Sequence, residues 1–152
     1  MALVERFVQL AQLSVRALWQ PVTFGVRTIL EDDSGRVVLI RHSYRSGWFL
    51  PGGGIDRHEI PEVAAERESR EEAGLVKGDA PEFFGIYVQP VAWVTNVVMI
   101  YRIRNAEIDF KKSLEVRECQ WADPNDPPKG TTRGTVRRLA EMTGKAAKSP
   151  RW

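Results

Sequence analysis

Gly52-Gly53-Gly54-Ile55-Asp56-Arg57-His58-Glu59-Ile60-Pro61-Glu62-Val63-Ala64-Ala65-Glu66-Arg67-Glu68-Ser69-Arg70-Glu71-Glu72-Ala73-Gly74-Leu75 is the stretch on which the fold turns. Three glycines in a row allow backbone to approach a neighbouring group closely. Behind them the spacing predicts a helix from Pro61, a residue suited to a first turn, to Ala73, with Gly74 as its stop. At about 100° per residue, Glu68, Glu71 and Glu72 fall within an arc of roughly 100° that they share with Pro61, Ala64 and Ala65. Glu62, Glu66, Ser69 and Arg70 take the other side, the expected solvent face. The wide apolar stripe of an ordinary amphipathic helix is missing. A solvated helix laced by pairs such as Glu66 with Arg70 would gain only a few tenths of a kcal/mol per pair, roughly, and leaves like charges at i, i+3 and i+4 unexplained. A bound hard cation explains them, because Mg²⁺ takes oxygen ligands and combines carboxylates with substrate phosphates.

Upstream, Val22, Phe24, Val26, Thr28 and Leu30 alternate with other residues, Glu31 to Arg36 supply turn chemistry, and Val37 to Ile40 follow, which predicts a β-hairpin. Trp48-Phe49-Leu50 reads as a short extended piece. Downstream, residues 83–88, 94–103 and 114–121 read as strands, 123–128 as a loop and 135–142 as a last helix, giving a mixed α/β or α+β domain. Residues 1–19 form an added N-terminal amphipathic helix, since Leu3, Phe7, Leu10, Ser14 and Ala17 recur at helical spacing with Val4, Val8, Ala11 and Val15 beside them. Glu5, Arg6, Gln9, Gln12 and Arg16 break that run before it resembles a secretion signal. Its apolar face is expected to pack on its own domain or on a dimer mate, and its polar side carries few cations for a membrane surface. The chain thus divides into a helix at 1–19, a domain at 20–143 and a basic flexible tail at 144–152.

The chain has 152 residues, 43% of them apolar, enough for one domain whose core needs no disulfides. Cys119 is the only cysteine, which excludes an internal disulfide framework and a cysteine-built zinc site. No run approaches the ~20 apolar residues that span a bilayer, and a cytoplasmic location is expected. Lys and Arg number 22 against 20 Asp and Glu, a net charge of +2, which argues against DNA as a partner. That balance hides a segregation. Asp56 to Glu72 holds seven acidic and three basic residues, whereas Lys129 to Trp152 holds seven basic and one acidic.

The segment from Gly53 to Leu75 resembles the Nudix box: a glycine, five residues, a glutamate, seven residues, then Arg-Glu-hydrophobic-x-Glu-Glu-x-Gly-hydrophobic. Gly53, Glu59, Arg67, Glu68, Glu71, Glu72, Gly74 and Leu75 occupy the specified positions. Ser69 departs from the pattern, standing where the family has an apolar residue, and Ile60 sits where Ser or Thr would cap the helix better. The resemblance extends from about Val22 to Leu139 and implies a Nudix-type α/β/α sandwich with a mixed β-sheet. It also implies a hydrolase that uses Mg²⁺ or Mn²⁺ to cleave the pyrophosphate bond of a nucleoside diphosphate linked to another moiety. On that basis Glu68, Glu71, Glu72 and the Gly52 carbonyl are metal ligands, and Glu59 with Arg67 is a supporting pair that orients the helix. The family's base lies either in the box helix or on a downstream loop, where the candidates are Glu115 and Glu118; Glu115 also resembles an extra acidic metal ligand.

For a small nucleotide-type substrate, Arg27, Arg41 and Arg45 are candidate phosphate contacts, and Phe24, Trp48 and Trp93 are candidate stacking groups. His42 and His58 have no partner spacing that suggests catalysis and read as structural or surface residues. Pro90 lies close to where some ADP-ribose-cleaving members carry a proline, although a strand edge accounts for it equally. Two alternatives stand beside the hydrolase: a Nudix-fold ligand-binding module without turnover, and a pyrophosphohydrolase of RNA 5′ ends, suggested by the basic residues after Lys129. RNA is disfavoured as a partner because only Trp152 offers a stacking aromatic there.

Overall fold

The computed structural model describes residues 2–19 and 21–152, with 2–5, 9, 16, 17 and 19 described in backbone only. The elements run α1 (Ala2–Trp19), β1 (Val22–Leu30), β2 (Val37–His42), α2 (Pro61–Ala73), β3 (Leu75–Lys77), β4 (Glu82–Val91), β5 (Val94–Ile103), β6 (Glu107–Ile108), β7 (Val116–Ala122) and α3 (Arg133–Met142). The central sheet has the order β1-β5-β4, with β1 parallel to β5 and β4 antiparallel to it. Its alternation decides the layers. Val26, Thr28 and Leu30 face α2, where Val26 packs on Ala64, Ala65 and Tyr101. Ile29 faces the other way, into a cluster of Leu39, Trp48, Leu50, Tyr87, Ile100 and Leu139 of α3. The result is the expected α/β/α sandwich with a mixed sheet.

The hairpin expected over residues 22–40 does not form. Asp32 builds the turn as anticipated, its carboxylate accepting from the Ser34 and Arg36 amides, but the strands then part after the single bridge Glu31↔Val37. β1 pairs with β5 from Val22↔Thr95 to Leu30↔Ile103, and β2 pairs antiparallel with β7 from Val37↔Ala122 to His42↔Val116. Turn chemistry fixes only where the chain reverses. Val37 to Ile40 are wholly buried, and a strand apolar on both faces takes whichever partner completes the core. The free side of β1 receives the glycine segment instead: the Val26 amide donates to the Gly53 carbonyl and Thr28 to Pro51, both at 2.9 Å. Gly25 and Gly52 allow this close approach, since a Cβ on Gly52 would lie 2.2 Å from the Val26 carbonyl oxygen.

α2 is preceded by Ile60, which supplies no side-chain cap, has Pro61 in its first turn, and is closed by Gly74 at φ 70°, the left-handed conformation that glycine adopts without strain. Ser69 is buried and not on a solvent face: its hydroxyl donates to the Ala65 carbonyl at 2.7 Å and lies 2.9 Å from the Thr28 hydroxyl. A polar pair between helix and strand thus replaces the apolar contact the pattern calls for. On α1, Phe7, Leu10, Leu13 and Leu18 are exposed, so these side chains do not pack on the domain, and the side chains of Leu3, Val4 and Ala17 lie outside the described residues. Among the described residues no helix is long and apolar enough to cross a membrane.

Residues 149–152, within the stretch expected to be a flexible tail, run beside β4. Val88 donates its amide to the Pro150 carbonyl at 2.8 Å, and Trp152 donates to the Val88 carbonyl at 3.1 Å. A buried network anchors them: Glu141 accepts from Arg138, the Tyr87 hydroxyl and the Ser149 amide. Composition favours disorder in this segment, but an unpaired strand edge and a buried carboxylate give it partners.

Candidate active site

The glycine segment and α2 meet along β1, and that packing sorts the three glutamates of the helix. Glu68 and Glu72 lie on the buried strip with Ala64, Ala65 and Ser69, at 9% and 7% exposure, whereas Glu71 stands at its margin with its side chain 59% exposed. Glu72 Oε2 accepts the Gly52 amide at 2.7 Å. Glu68 sits under Gly53, where a Cβ would come within 2.6 Å of its carboxylate and push it aside.

Arg67 ties loop to helix. Its guanidinium donates to both oxygens of Glu59, at 2.8 and 2.9 Å, to Glu68 at 2.8 Å, to Glu71 at 3.3 Å and to the Gly54 carbonyl at 3.1 Å. Glu59 also accepts the Asp56 amide. The bonds from Arg67 and Asp56 hold Glu59 down at about 2, and the bonds to Glu59 and Glu68 raise Arg67. Glu59 and Arg67 are therefore a permanently charged brace between loop and helix.

The inner carboxylates are shifted the opposite way. Burial pushes Glu72 up to about 7, against the lowering effects of the Gly52 amide and Arg27, with Glu68 and Glu115 adding repulsion. Burial also raises Glu68, although Arg67 opposes it. Of these two carboxylates Glu68 has Arg67 as its cation, whereas Glu72 is bonded only to the Gly52 amide among the described residues. The Gly52 carbonyl accepts no hydrogen bond among the described residues. This donor set fits a hard divalent cation, which binds through one or two carboxylates and completes its shell with water and substrate oxygens. Among the described residues no three acidic or imidazole side chains form a ready-made metal cage. Glu71 is exposed and accepts one bond of 3.3 Å from Arg67, and Glu115 is an exposed residue of the loop before β7, its carbonyl accepting the Ser43 amide. Glu118 pairs with Arg41 at 3.2 Å, on the β2–β7 surface.

His42, expected to be a structural or surface residue, is 2% exposed and its Nδ1 lies 3.8 Å from Glu72 Oε1. Burial, then Arg27 and Arg45, lower its pKa and keep it neutral. Its position at the end of β2 carried no periodic signal, because the neighbour it meets lies 30 residues on and is brought there by α2. Arg27 stands nearby with Nη1 closed off from solvent and bonded to nothing among the described residues. Of the expected stacking groups, Trp48 is in the core under the Arg41 guanidinium at 4.5 Å, and Phe24 and Trp93 are exposed. Phe49 and Trp152 line the adjoining cavity in their place.

The box residues thus sit together with the loop-helix geometry their spacing implied, and the NUDIX domain profile matches residues 21–141. The chain belongs to the NUDIX family. Over 102 residues it is 27% identical to a MutT-like protein of Streptomyces ambofaciens, a match covering 67% of this chain and 64% of that one. It is 39% identical over 70 residues to an RNA pyrophosphohydrolase of Acinetobacter baylyi, covering 46% of this chain and 40% of the relative. The matched segment therefore spans less than two thirds of either relative's length. A MutT NUDIX hydrolase from Burkholderia pseudomallei superposes with a TM-score of 0.71 at 22% identity, covering 81% of this Nudix chain and 99% of the other, which shows the shared fold.

Proposed function

We propose that this Nudix protein hydrolyses a pyrophosphate bond in a nucleoside diphosphate linked to another moiety, with Glu68, Glu72 and the Gly52 carbonyl holding Mg²⁺ or Mn²⁺. The observation that carries the reading is the pair of buried, mutually repelling carboxylates beneath a glycine segment, beside a buried arginine with an unused donor. Bound there, a divalent cation neutralises phosphoryl oxygens and lowers the pKa of water. The protein's own part is largely placement and electrostatics, which dominate phosphoryl transfer. Arg27 Nη1 takes a phosphate oxygen. The Arg67–Glu59 brace keeps Glu68 aligned with the glycine segment. Glu71 and Glu115, both exposed at the rim, complete the metal shell or accept the proton of the attacking water. The RNA pyrophosphohydrolase among the relatives supports a phosphoanhydride as the bond cut.

The test is a screen of the purified protein with Mg²⁺ or Mn²⁺ over nucleotide sugars, ADP-ribose, dinucleoside polyphosphates, nucleoside triphosphates and 5′-triphosphorylated RNA, with product identification. Metal-dependent cleavage that disappears in Glu68→Gln and Glu72→Gln is the expected result. Tight binding without cleavage of any of these compounds would overturn it in favour of a ligand-binding module.

A further inference from the structure

Beside Arg27 and Leu50 the fold opens into a cavity of 1270 Å³. Arg27, Arg45, Arg133, Arg137 and Arg151 line it, and no Asp or Glu does. Most described arginines elsewhere are matched, as Arg36 is by Asp32, Arg102 by Glu31 and Arg138 by Glu141, with the exposed Arg57 an exception. Among the described residues none of the five cavity arginines has an Asp or Glu partner. Arg27 adds a sealed and unpartnered Nη1, and the Arg45 guanidinium rests over the Phe49 ring at 4.6 Å. Five like charges gathered on one concavity repel in the free protein; Glu72 and Glu68 offset part of that at Arg27, and an anionic occupant would offset the rest.

These charges fall into two groups by the elements that hold them. Arg27 and Arg45 belong to β1 and the segment before Phe49, next to Glu72 and His42. Arg133 and Arg137 belong to the start of α3, and Arg151 to the strand-like segment beside β4. Arg151 is not on a loose tail: its carbonyl accepts from Arg138 at 3.1 Å, and its neighbour Trp152 occupies the space that Gly134 leaves by lacking a side chain. Arg137 gives one amino group to the main-chain oxygen of Trp152. The first group is placed for the two phosphates of the bond that is cut. The cavity exceeds the roughly 300–1,000 Å³ of common small-molecule pockets, so it has room for a ligand that reaches the second group.

We propose that Arg133, Arg137 and Arg151 form a second anion subsite that holds a phosphate lying beyond the scissile pyrophosphate. The preferred substrate is then a small nucleotide whose second moiety carries phosphate of its own. The proposal rests on the pyrophosphohydrolase reading of Glu68 and Glu72, and two readouts keep the two apart. The first compares kcat/KM for a dinucleoside tetraphosphate and for ADP-ribose in the full chain and in Arg137→Ala/Arg151→Ala. The second titrates inorganic tripolyphosphate into both proteins by calorimetry in chelator. Turnover of the tetraphosphate should fall about tenfold for each arginine removed, while ADP-ribose turnover stays nearly unchanged. Tripolyphosphate binding should weaken in parallel and depend steeply on salt. Equal effects on both substrates, or unchanged tripolyphosphate binding, would overturn the subsite. So would a preference for 5′-triphosphorylated RNA over the tetraphosphate. Should no substrate be cleaved by the wild type, the hydrolase reading fails alone and the tripolyphosphate titration decides the subsite. Arg133→Ala repeats both measurements without touching residues 149–152.

Discussion

Glu72→Gln should stabilise the metal-free protein while removing its activity. Glu72 has a folded pKa of about 7 against an ordinary 4.5, because burial disfavours its charge. Between those values the folded state binds more protons than the unfolded one, so stability falls as pH rises from 4.5 through 7 and the cost is complete above 7. A displacement of that size corresponds to about 3 kcal/mol. Glutamine removes the charge but retains an acceptor for the Gly52 amide. Urea denaturation in chelator at pH 8 should therefore show the variant more stable by up to about 3 kcal/mol, or roughly 6–12 °C in Tm for a domain of this size. At pH 4.5 the difference should shrink towards zero. Mg²⁺ should reverse the order, stabilising the wild type but not the variant, because a ligand that binds the folded state alone adds to its stability. A variant less stable at pH 8, or a difference that does not vary with pH, refutes the argument that Glu72 is a buried charge awaiting a cation.

Arg67→Ala should lower stability by about 2 kcal/mol by stripping Glu68 and Glu59 of a charged donor, and Arg67→Lys should restore little, since an ammonium cannot span the same fork of acceptors; denaturation midpoints with activity on the same samples check both. Gly134→Ala offers a contest between local and tertiary effects. Helix propensity alone favours alanine by about 1 kcal/mol, but its Cβ would lie 2.2 Å from the Trp152 indole nitrogen, so the expected outcome is release of residues 149–152, seen as faster amide exchange at Val88 and Trp152. Burial pushes the Cys119 thiol up to about 12, so the native protein should react with a thiol reagent at neutral pH far more slowly than the urea-unfolded chain.

What lay in the sequence was whatever depends on neighbours along the chain. Pro61 and Gly74 bounded α2, the spacing of Glu59, Arg67, Glu68 and Glu72 gave the family, and the expected supporting pair is the Arg67–Glu59 brace. These features repeat with a helix turn or follow from one backbone conformation, so one segment suffices to show them. Pairing partners were hidden because the turn at Asp32 is satisfied whether or not β1 and β2 continue together. The burial of Glu72 and the exposure of Glu71 were hidden for a related reason. The two residues are adjacent, and only the line along which β1 and the glycine segment press on α2 separates them.

The sequence by itself therefore determined the carboxylate helix and its family, and the clustering of like charge that led to the expectation of a cation. Tertiary structure alone decided that β1 would run parallel to β5, that His42 and Arg27 would crowd Glu72, and that residues 149–152 would lie beside β4 to wall a cavity that no Asp or Glu lines. The division follows the range of the forces. Helix propensity, capping and i, i+4 neighbours act within a few residues. Burial, by contrast, and the electrostatics it amplifies, depend on which distant segments share a core.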